Sequence, residues 1–168
     1  MRYRASVALG LVVAGAVAAM ATPTSYADND DNTLVPNNQR LNNGVVSNVF
    51  TVQRQAGCTN TLTVSAPLQR AAQWHTHDVL NNRDLDADIG SDGSTPQDRA
   101  RAAGFSGKVT ETVAINPALA ISGLELINQW YDNPAYLAIM RDCANTLIGV
   151  WSENSLDRTV VVAVYGQP

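Results

Sequence analysis

The order of hydrophobic patterns along the chain most restricts the folds that it can adopt. Apolar residues recur at helical spacing through the earlier part of the chain, whereas two β-branched and apolar runs, residues 147–151 and 159–165, lie near its end. The polar segment between these runs is typical of a hairpin loop. Helices first and strands last predict an α+β domain whose helices pack on a small antiparallel sheet.

Two helices are predicted ahead of the central acidic loop. The first begins near Pro36, ends at Gly57 and presents four apolar residues on one face: Leu41, Val45, Val49 and Val52. The second has Ser65 as its N-cap and Pro67 in its first turn, where a missing N–H costs nothing. Its inward face is predicted to consist of Leu68, Ala71, Ala72, His75 and Val79.

Two more helices and a strand are predicted after the loop. Thr95 is the expected N-cap of a short third helix, and Asp98 lies favourably at its positive end. Residues 109–115 predict a short strand. Residues 116–117 are then expected to open a fourth helix that residues 133–134 break, with its apolar face at Leu124, Ile127 and Trp130.

The N-terminus has the pattern of a secretory signal peptide. A basic start precedes a nearly uncharged run, residues 5–21, and Ser25-Tyr26-Ala27 offers a cleavage site. The alternative is a retained membrane anchor, although the run is near the lower length limit of about 17 residues for a spanning helix. The signal-peptide interpretation leaves no membrane span after cleavage and divides the chain into a leader (1–27), a flexible N-terminus (28–35) and a domain (36–168).

The charge balance excludes one class of partner. The chain carries 11 basic and 15 acidic residues, a net charge of −4. Loss of Arg2 and Arg4 with the leader leaves nine basic residues and a charge of −6. Sequence-independent nucleic-acid binding needs a basic surface that displaces counterions. No nucleic-acid partner is therefore expected.

Two cysteines, Cys58 and Cys143, follow the leader. In an exported protein an even number of cysteines indicates a disulfide. In the chain-entropy model, closing so long a loop stabilises the fold by about 4–5 kcal/mol. The alternative is a pair of buried free thiols.

Two histidines on the second helix, His75 and His77, resemble a metal-binding pair. Side chains two residues apart on a helix point to nearly opposite faces, whereas helical zinc pairs need a spacing of three or four. One imidazole is therefore expected to pack inward and the other to face solvent.

The loop after the second helix resembles the start of a calcium-binding loop. Its acidic residues are Asp84, Asp86, Asp88 and Asp92. The match then breaks, because Ile89 stands where a Gly is needed and Thr95 where a bidentate Glu is needed. A solvated acidic loop is the simpler interpretation, and a weak cation site is the alternative.

The order of several segments resembles the CAP superfamily, the group of cysteine-rich secretory proteins, antigen 5 and pathogenesis-related-1 proteins. The resemblance is closest to the short secreted bacterial branch of actinobacterial type and covers about residues 36–167. It is carried by Gly57-Cys58, the stretches 72–79, 90–105 and 129–136, and Glu111-Thr112-Val113-Ala114. The resemblance implies a three-layer α-β-α sandwich, and it independently supports a Cys58–Cys143 disulfide.

The resemblance also locates a cleft in which the family presents two His and acidic residues. Asp88 stands at the first His position, Glu111 matches the family Glu, and Tyr136 stands at the second His position. A phenol is a poor zinc ligand at neutral pH, so no catalytic residue, metal or cofactor is expected. Two nearby carboxylates, Asp88 and Glu111, either share a proton or recruit a hard cation.

These observations predict a secreted, non-catalytic CAP-like domain outside the cell or in the cell envelope. The resemblance implies a binding module for a lipid or sterol, a cell-wall component or a protein. The alternative is a divalent-cation-dependent module, or a hydrolase that uses Asp88 and Glu111.

Overall fold

The computed structural model describes residues 38–117 and 120–168. Within these residues the chain forms five helices and four strands. In chain order they are α1 (Asn38–Gln55), β1 (Thr63–Val64), α2 (Ala66–Asn81), α3 (Pro96–Ala102), β2 (Lys108–Asn116), α4 (Gly123–Asp132), α5 (Pro134–Arg141), β3 (Leu147–Ser155) and β4 (Arg158–Gln167). The predicted leader 1–27 and flexible terminus 28–35 lie outside the described residues.

The strands form one sheet in the order β1-β3-β4-β2. The three long strands pair antiparallel, as predicted, whereas the two-residue β1 joins β3 in parallel. The sheet is therefore mixed. Sequence patterns missed β1 because a strand of two exposed residues shows no alternation of polar and apolar side chains.

Strand β4 separates two hydrophobic layers. Its residues from Arg158 to Gly166 are all buried, and successive side chains point to opposite faces. Val160, Val162 and Val164 pack toward α2 and α3. Val161, Ala163 and Tyr165 pack toward α1, α4 and α5. The predicted α+β class and the three-layer α-β-α sandwich are confirmed.

The inward faces of the first two helices are confirmed. Val45, Val49 and Val52 of α1 are buried, and Leu41 packs against the same cluster. All five residues predicted on the inner face of α2 are buried. The start of α2 lies directly on β3, because a side chain at Gly149 would overlap the backbone of Leu68 and Gln69. That glycine sets the spacing between the two elements.

Local signals at helix ends agree with the structure at α3. The Thr95 hydroxyl accepts a hydrogen bond from the Asp98 amide at 3.2 Å, and the Asp98 carboxylate accepts one from the Thr95 amide at 3.0 Å. Gly104 follows α3 with a φ of 96°, a left-handed conformation that favours glycine. These contacts fix both ends of a helix of only seven residues.

The predicted start of the fourth helix is wrong. Pairing with β4 keeps the backbone extended as far as Asn116, and α4 begins only at Gly123. Ser122 provides its N-cap by accepting a hydrogen bond from the Glu125 amide at 3.1 Å. Its inward side chains are Leu126 and Trp130, whereas Leu124 is 72% exposed. The predicted break at residues 133–134 separates α4 from α5, as expected.

The hairpin loop is also shorter than predicted. Strand β3 continues to Ser155 and β4 begins at Arg158, so only two residues form the turn. Polar residues of the predicted loop, among them Ser152 and Asn154, are buried and hydrogen-bonded to α1. Those contacts come from residues more than a hundred positions away, which a local pattern does not reveal.

The two cysteines form the expected disulfide. Cys58 follows α1 and Cys143 follows α5, with their Cα atoms 5.3 Å apart and a separation of 85 residues in sequence. The bridge joins two helices of the same layer. Among the described residues, no helix has the length and hydropathy needed to cross a membrane.

Replacing both cysteines by Ala should lower the free energy of unfolding by up to about 4–5 kcal/mol, because the unfolded chain regains the freedom of a long loop. Urea unfolding followed by circular dichroism measures the change. Wild-type protein unfolded in a thiol reductant should match the double variant, and the reductant should not affect the variant itself. A wild-type midpoint unchanged by reductant would contradict the prediction.

Candidate functional site

The predicted cleft positions lie around the outer edge of β2. Glu111 is part of β2, Asp88 lies in the loop after α2, and Tyr136 is in the first turn of α5. Burial raises the pKa of Tyr136, and the charges of Asp88 and Glu111 raise it further, whereas a hydrogen bond with the backbone of Val113 opposes them. Asp88 and Glu111 are therefore within electrostatic range of Tyr136, and Tyr136 stays protonated at neutral pH.

Glu111 makes the closest polar contacts of the site. Its Oε1 lies 2.6 Å from His75 Nδ1 and 3.0 Å from Arg99 Nη2. Glu111 is 4% exposed and lies on the same face of β2 as Val109 and Val113, which are two residues away on either side and pack toward α2 and α3. The carboxylate therefore points inward, where His75 of α2 and Arg99 of α3 contact it.

Arg99 connects this carboxylate to the acidic loop. Its Nη2 donates to the backbone oxygen of Asp88 at 2.7 Å, and its Nη1 donates to the backbone oxygen of Ser94 at 2.7 Å. Arg99 is 6% exposed. A buried guanidinium with these partners neutralises Glu111 and holds both ends of the loop segment 88–94 against α3.

Two side chains approach the same imidazole nitrogen. His75 Nδ1 lies 2.6 Å from Glu111 Oε1 and 3.1 Å from Arg99 Nη2. His75 Nε2, Glu111 Oε2 and Arg99 Nε are buried with no hydrogen-bond partner in the described part of the chain. The cluster of His75, Arg99 and Glu111 is called the buried triad below.

The expectation for His75 was incomplete. It does face inward and is fully buried, but it hydrogen-bonds the cleft glutamate rather than only packing. His77 is about half exposed, as expected, and pairs with Glu153 at 2.9 Å. The sequence did contain a signal for this contact. His75 is at an inward position of α2 and Glu111 is at an inward position of β2, and both positions face the space between the helices and the sheet. The resemblance directed attention to the family His positions instead.

The acidic loop does not form a metal site of three carboxylates. No three His, Cys, Asp or Glu side chains within residues 38–117 and 120–168 are grouped closely enough to hold a metal ion. Asp84, Asp86 and Asp88 are exposed. Asp92 accepts a hydrogen bond from the Ser94 amide at 2.8 Å, which closes a turn. The described structure therefore does not gather the carboxylates of the predicted loop at one metal site.

Side chains cover the edge of β2 on both sides of Glu111. Gln97 donates to the backbone oxygen of Gly107 at 2.9 Å and accepts from the Val109 amide at 3.1 Å, so its amide imitates a neighbouring strand. Tyr136 hydrogen-bonds the backbone of Val113 at the other end. An open strand edge invites pairing with another chain, and these two side chains restrict it.

Asp78 anchors the loop to α2. Its carboxylate accepts hydrogen bonds from the Ser91 amide at 2.7 Å, the Ser91 hydroxyl at 2.6 Å and the Asn82 side chain at 2.7 Å. Partial burial alone would raise the pKa of Asp78, but these hydrogen bonds outweigh it and lower the pKa. The ionised carboxylate therefore stabilises the loop.

No known family profile matches the sequence, and no curated protein matches it. Solved structures do share its fold. An outer surface protein from Borrelia burgdorferi superposes with a TM-score of 0.69 at 16% identity, over 78% of this chain and 95% of that one. An extracellular protein containing an SCP domain from Bacillus anthracis gives 0.61 at 13% identity, over 80% of this chain and 44% of that one.

A cysteine-rich secretory protein from Staphylococcus aureus gives a TM-score of 0.57 at 11% identity, over 80% of this chain and 40% of that one. The chain thus spans less than half the length of these last two proteins. The protein has the fold of the SCP, or CAP, domain. At these identities the likeness establishes the fold alone.

Glu111→Gln should destabilise the protein by about 3–5 kcal/mol, because it leaves the buried Arg99 without a counter-charge. Asp88→Asn is the control, since the Asp88 side chain is exposed and only its backbone oxygen binds Arg99. It should change stability by less than about 0.5 kcal/mol. Urea unfolding of both variants measures the difference, and equal midpoints would contradict the role given to the triad.

Stability should fall in acid through Asp78. The folded-state pKa of Asp78 lies below that of the unfolded chain, about 3.9. Its contribution is therefore complete above that value and is lost as the pH falls through the folded-state pKa. The Asp78→Asn variant should be less stable than wild type at pH 7. Its melting temperature should fall less steeply than that of wild type between pH 5 and pH 2. The Asp132→Asn variant, at the exposed end of α4, should retain the wild-type slope in thermal unfolding.

Proposed function

We propose that the protein is a secreted, non-catalytic CAP-like domain that binds a ligand outside the cell or in the cell envelope. The observation that carries the proposal is the state of Glu111. This carboxylate is buried, neutralised by Arg99 and hydrogen-bonded by His75. It is the acid that the family resemblance would assign to chemistry, and here its contacts serve to join α2, α3 and β2.

The neighbouring positions support the absence of catalysis. A general base must reach a proton on a substrate and have a pKa near the working pH. Tyr136 has a raised pKa and remains a neutral phenol. Asp88 is exposed, and the imidazole nearest the cleft, His75, is fully buried. Of the groups described at these positions, Glu111 and His75 are thus shielded from a substrate, and Tyr136 stays protonated.

Secretion has separate support. Disulfides persist in oxidising compartments and are rare in the cytosol, and Cys58 and Cys143 are bridged. Proteins of the same fold carry the descriptions outer surface, extracellular and secretory. Together with the signal-peptide pattern at residues 1–27, these observations favour export.

The alternative is a cation-dependent module or a hydrolase that uses Asp88 and Glu111. The observation in its favour is the electrostatic proximity of these two carboxylates to Tyr136. It requires Glu111 to leave Arg99 and His75, which would expose or unpair two buried polar groups. The non-catalytic reading requires no such rearrangement.

Incubation with cell envelopes tests the proposal. The purified secreted protein should be depleted from solution by adsorption to isolated envelopes or to vesicles made from their lipids. Mass spectrometry of the supernatant should detect no soluble product. A metal ion that binds the folded state must raise the melting temperature. Since no metal is expected to bind, millimolar calcium or zinc should leave the melting temperature unchanged. Product formation that Asp88→Asn abolishes, or a metal-dependent rise in melting temperature, would overturn the proposal in favour of the alternative.

A further inference from the structure

A concavity lies between α2, α3 and the turn at residues 91–94. Its volume is about 540 Å³, within the range of small-molecule sites. Its lining includes Trp74, Asp78, Ser91, Asp92, Asp98 and Arg99. It shares Arg99 with the buried triad and is called the Trp74 pocket below.

The Trp74 pocket is formed in advance of any ligand. Asp78 holds Ser91 through two hydrogen bonds, and the Gly90 amide donates to the backbone oxygen of Ser94 at 2.9 Å. A side chain at Gly90 would approach Ser94 Oγ to 2.7 Å, so this turn is tightly packed. A preformed wall lowers the entropic cost of binding.

An exposed indole forms part of the wall. Trp74 is 41% exposed, whereas Trp130 in the core is 1% exposed. Trp74 and Asp78 are one turn apart on α2, so the ring and the carboxylate share a face. Exposure of an apolar ring to water is unfavourable in free energy. An aromatic ring in a concave polar pocket can therefore cover an apolar face of a ligand.

The polar groups that the pocket offers are chiefly acceptors. The Thr95 side chain lowers the pKa of Asp98, and the Ser94 side chain lowers that of Asp92, so both are ionised at neutral pH. A carboxylate has about four lone-pair sites, more than these internal contacts occupy. Arg99 also lines the pocket, but its Nη atoms bind Ser94, Asp88 and Glu111 and its Nε is buried from solvent, so it supplies charge and no accessible donor.

This combination selects a class of ligand. An anion would meet three carboxylates against one guanidinium and would be repelled. A simple cation would use the carboxylates but leave the exposed Trp74 indole uncovered. Hydroxyl groups donate hydrogen bonds to carboxylates, so a ligand that carries several hydroxyls and one apolar face matches the lining. A neutral pyranose ring has this chemistry.

We propose that the Trp74 pocket binds a neutral sugar residue of an extracellular glycan. The C–H face of the sugar stacks on the Trp74 indole, and its hydroxyls donate hydrogen bonds to Asp92 and Asp98. This proposal rests on the proposed function, for which it names the ligand class and a site separate from the Glu111 cleft.

The test titrates the full secreted protein with cellohexaose, maltohexaose and chitohexaose, and follows Trp fluorescence and calorimetric heat. At least one of these neutral oligosaccharides should bind and shift the emission. Trp74→Ala should weaken that binding about tenfold through loss of the stacked ring. Asp92→Asn should weaken it less, since an amide oxygen can still accept. Tyr131→Ala is the matched control, because Tyr131 is 40% exposed but lies on α4 in the opposite layer.

Other ligand classes are decided in the same titration. If the protein binds only the cationic chitosan hexamer or an oligolysine peptide, the ligand is a cation and the proposal of a neutral sugar is overturned. No binding of any neutral oligosaccharide, or equal binding by Trp74→Ala and wild type, would overturn the pocket. Envelope depletion separates the two proposals: if Trp74→Ala still adsorbs while neutral sugars do not bind, the binding module stands and the Trp74 pocket fails.

Discussion

The buried ion pair between Glu111 and Arg99 is the contact on which the site depends. Removing two charges from water costs several kcal/mol per ion, and this cost is repaid only when close partners satisfy them. Glu111 has His75 and Arg99 as partners, and Arg99 also binds the backbone of Asp88 and Ser94. One guanidinium thus joins a strand, a helix and a loop.

That arrangement also explains how one chain can carry two different surfaces. At Glu111 the carboxylate, imidazole and guanidinium contact one another, which leaves Asp88 and Tyr136 at the proposed cleft. The loop segment 88–94, held to α3 by Arg99 and to α2 by Asp78, provides Ser91, Asp92 and Ser94 to the Trp74 pocket. A mobile loop would offer neither surface in a defined shape, and the hydrogen bonds of Asp78 remove that mobility.

Much of the fold follows from local patterns. The inward faces of α1 and α2, the N-cap at Thr95 and the break before α5 were predicted because each depends on residues within one or two turns of each other. The start of α4 and the length of the hairpin were not. The start of α4 and the length of the hairpin are both set by the pairing of β4 with β2 and β3. A partner strand can keep residues extended even where their sequence would suit the start of a helix or a loop.

The sequence by itself determined the α+β class, the inward faces of α1 and α2 and the cysteine pair. Only the tertiary structure decided the role of His75. It is 36 residues from Glu111 and 24 from Arg99 in the chain. Whether such groups meet depends on the spacing between the helical layer and the sheet. That spacing is set by packing across layers, which no local sequence pattern specifies.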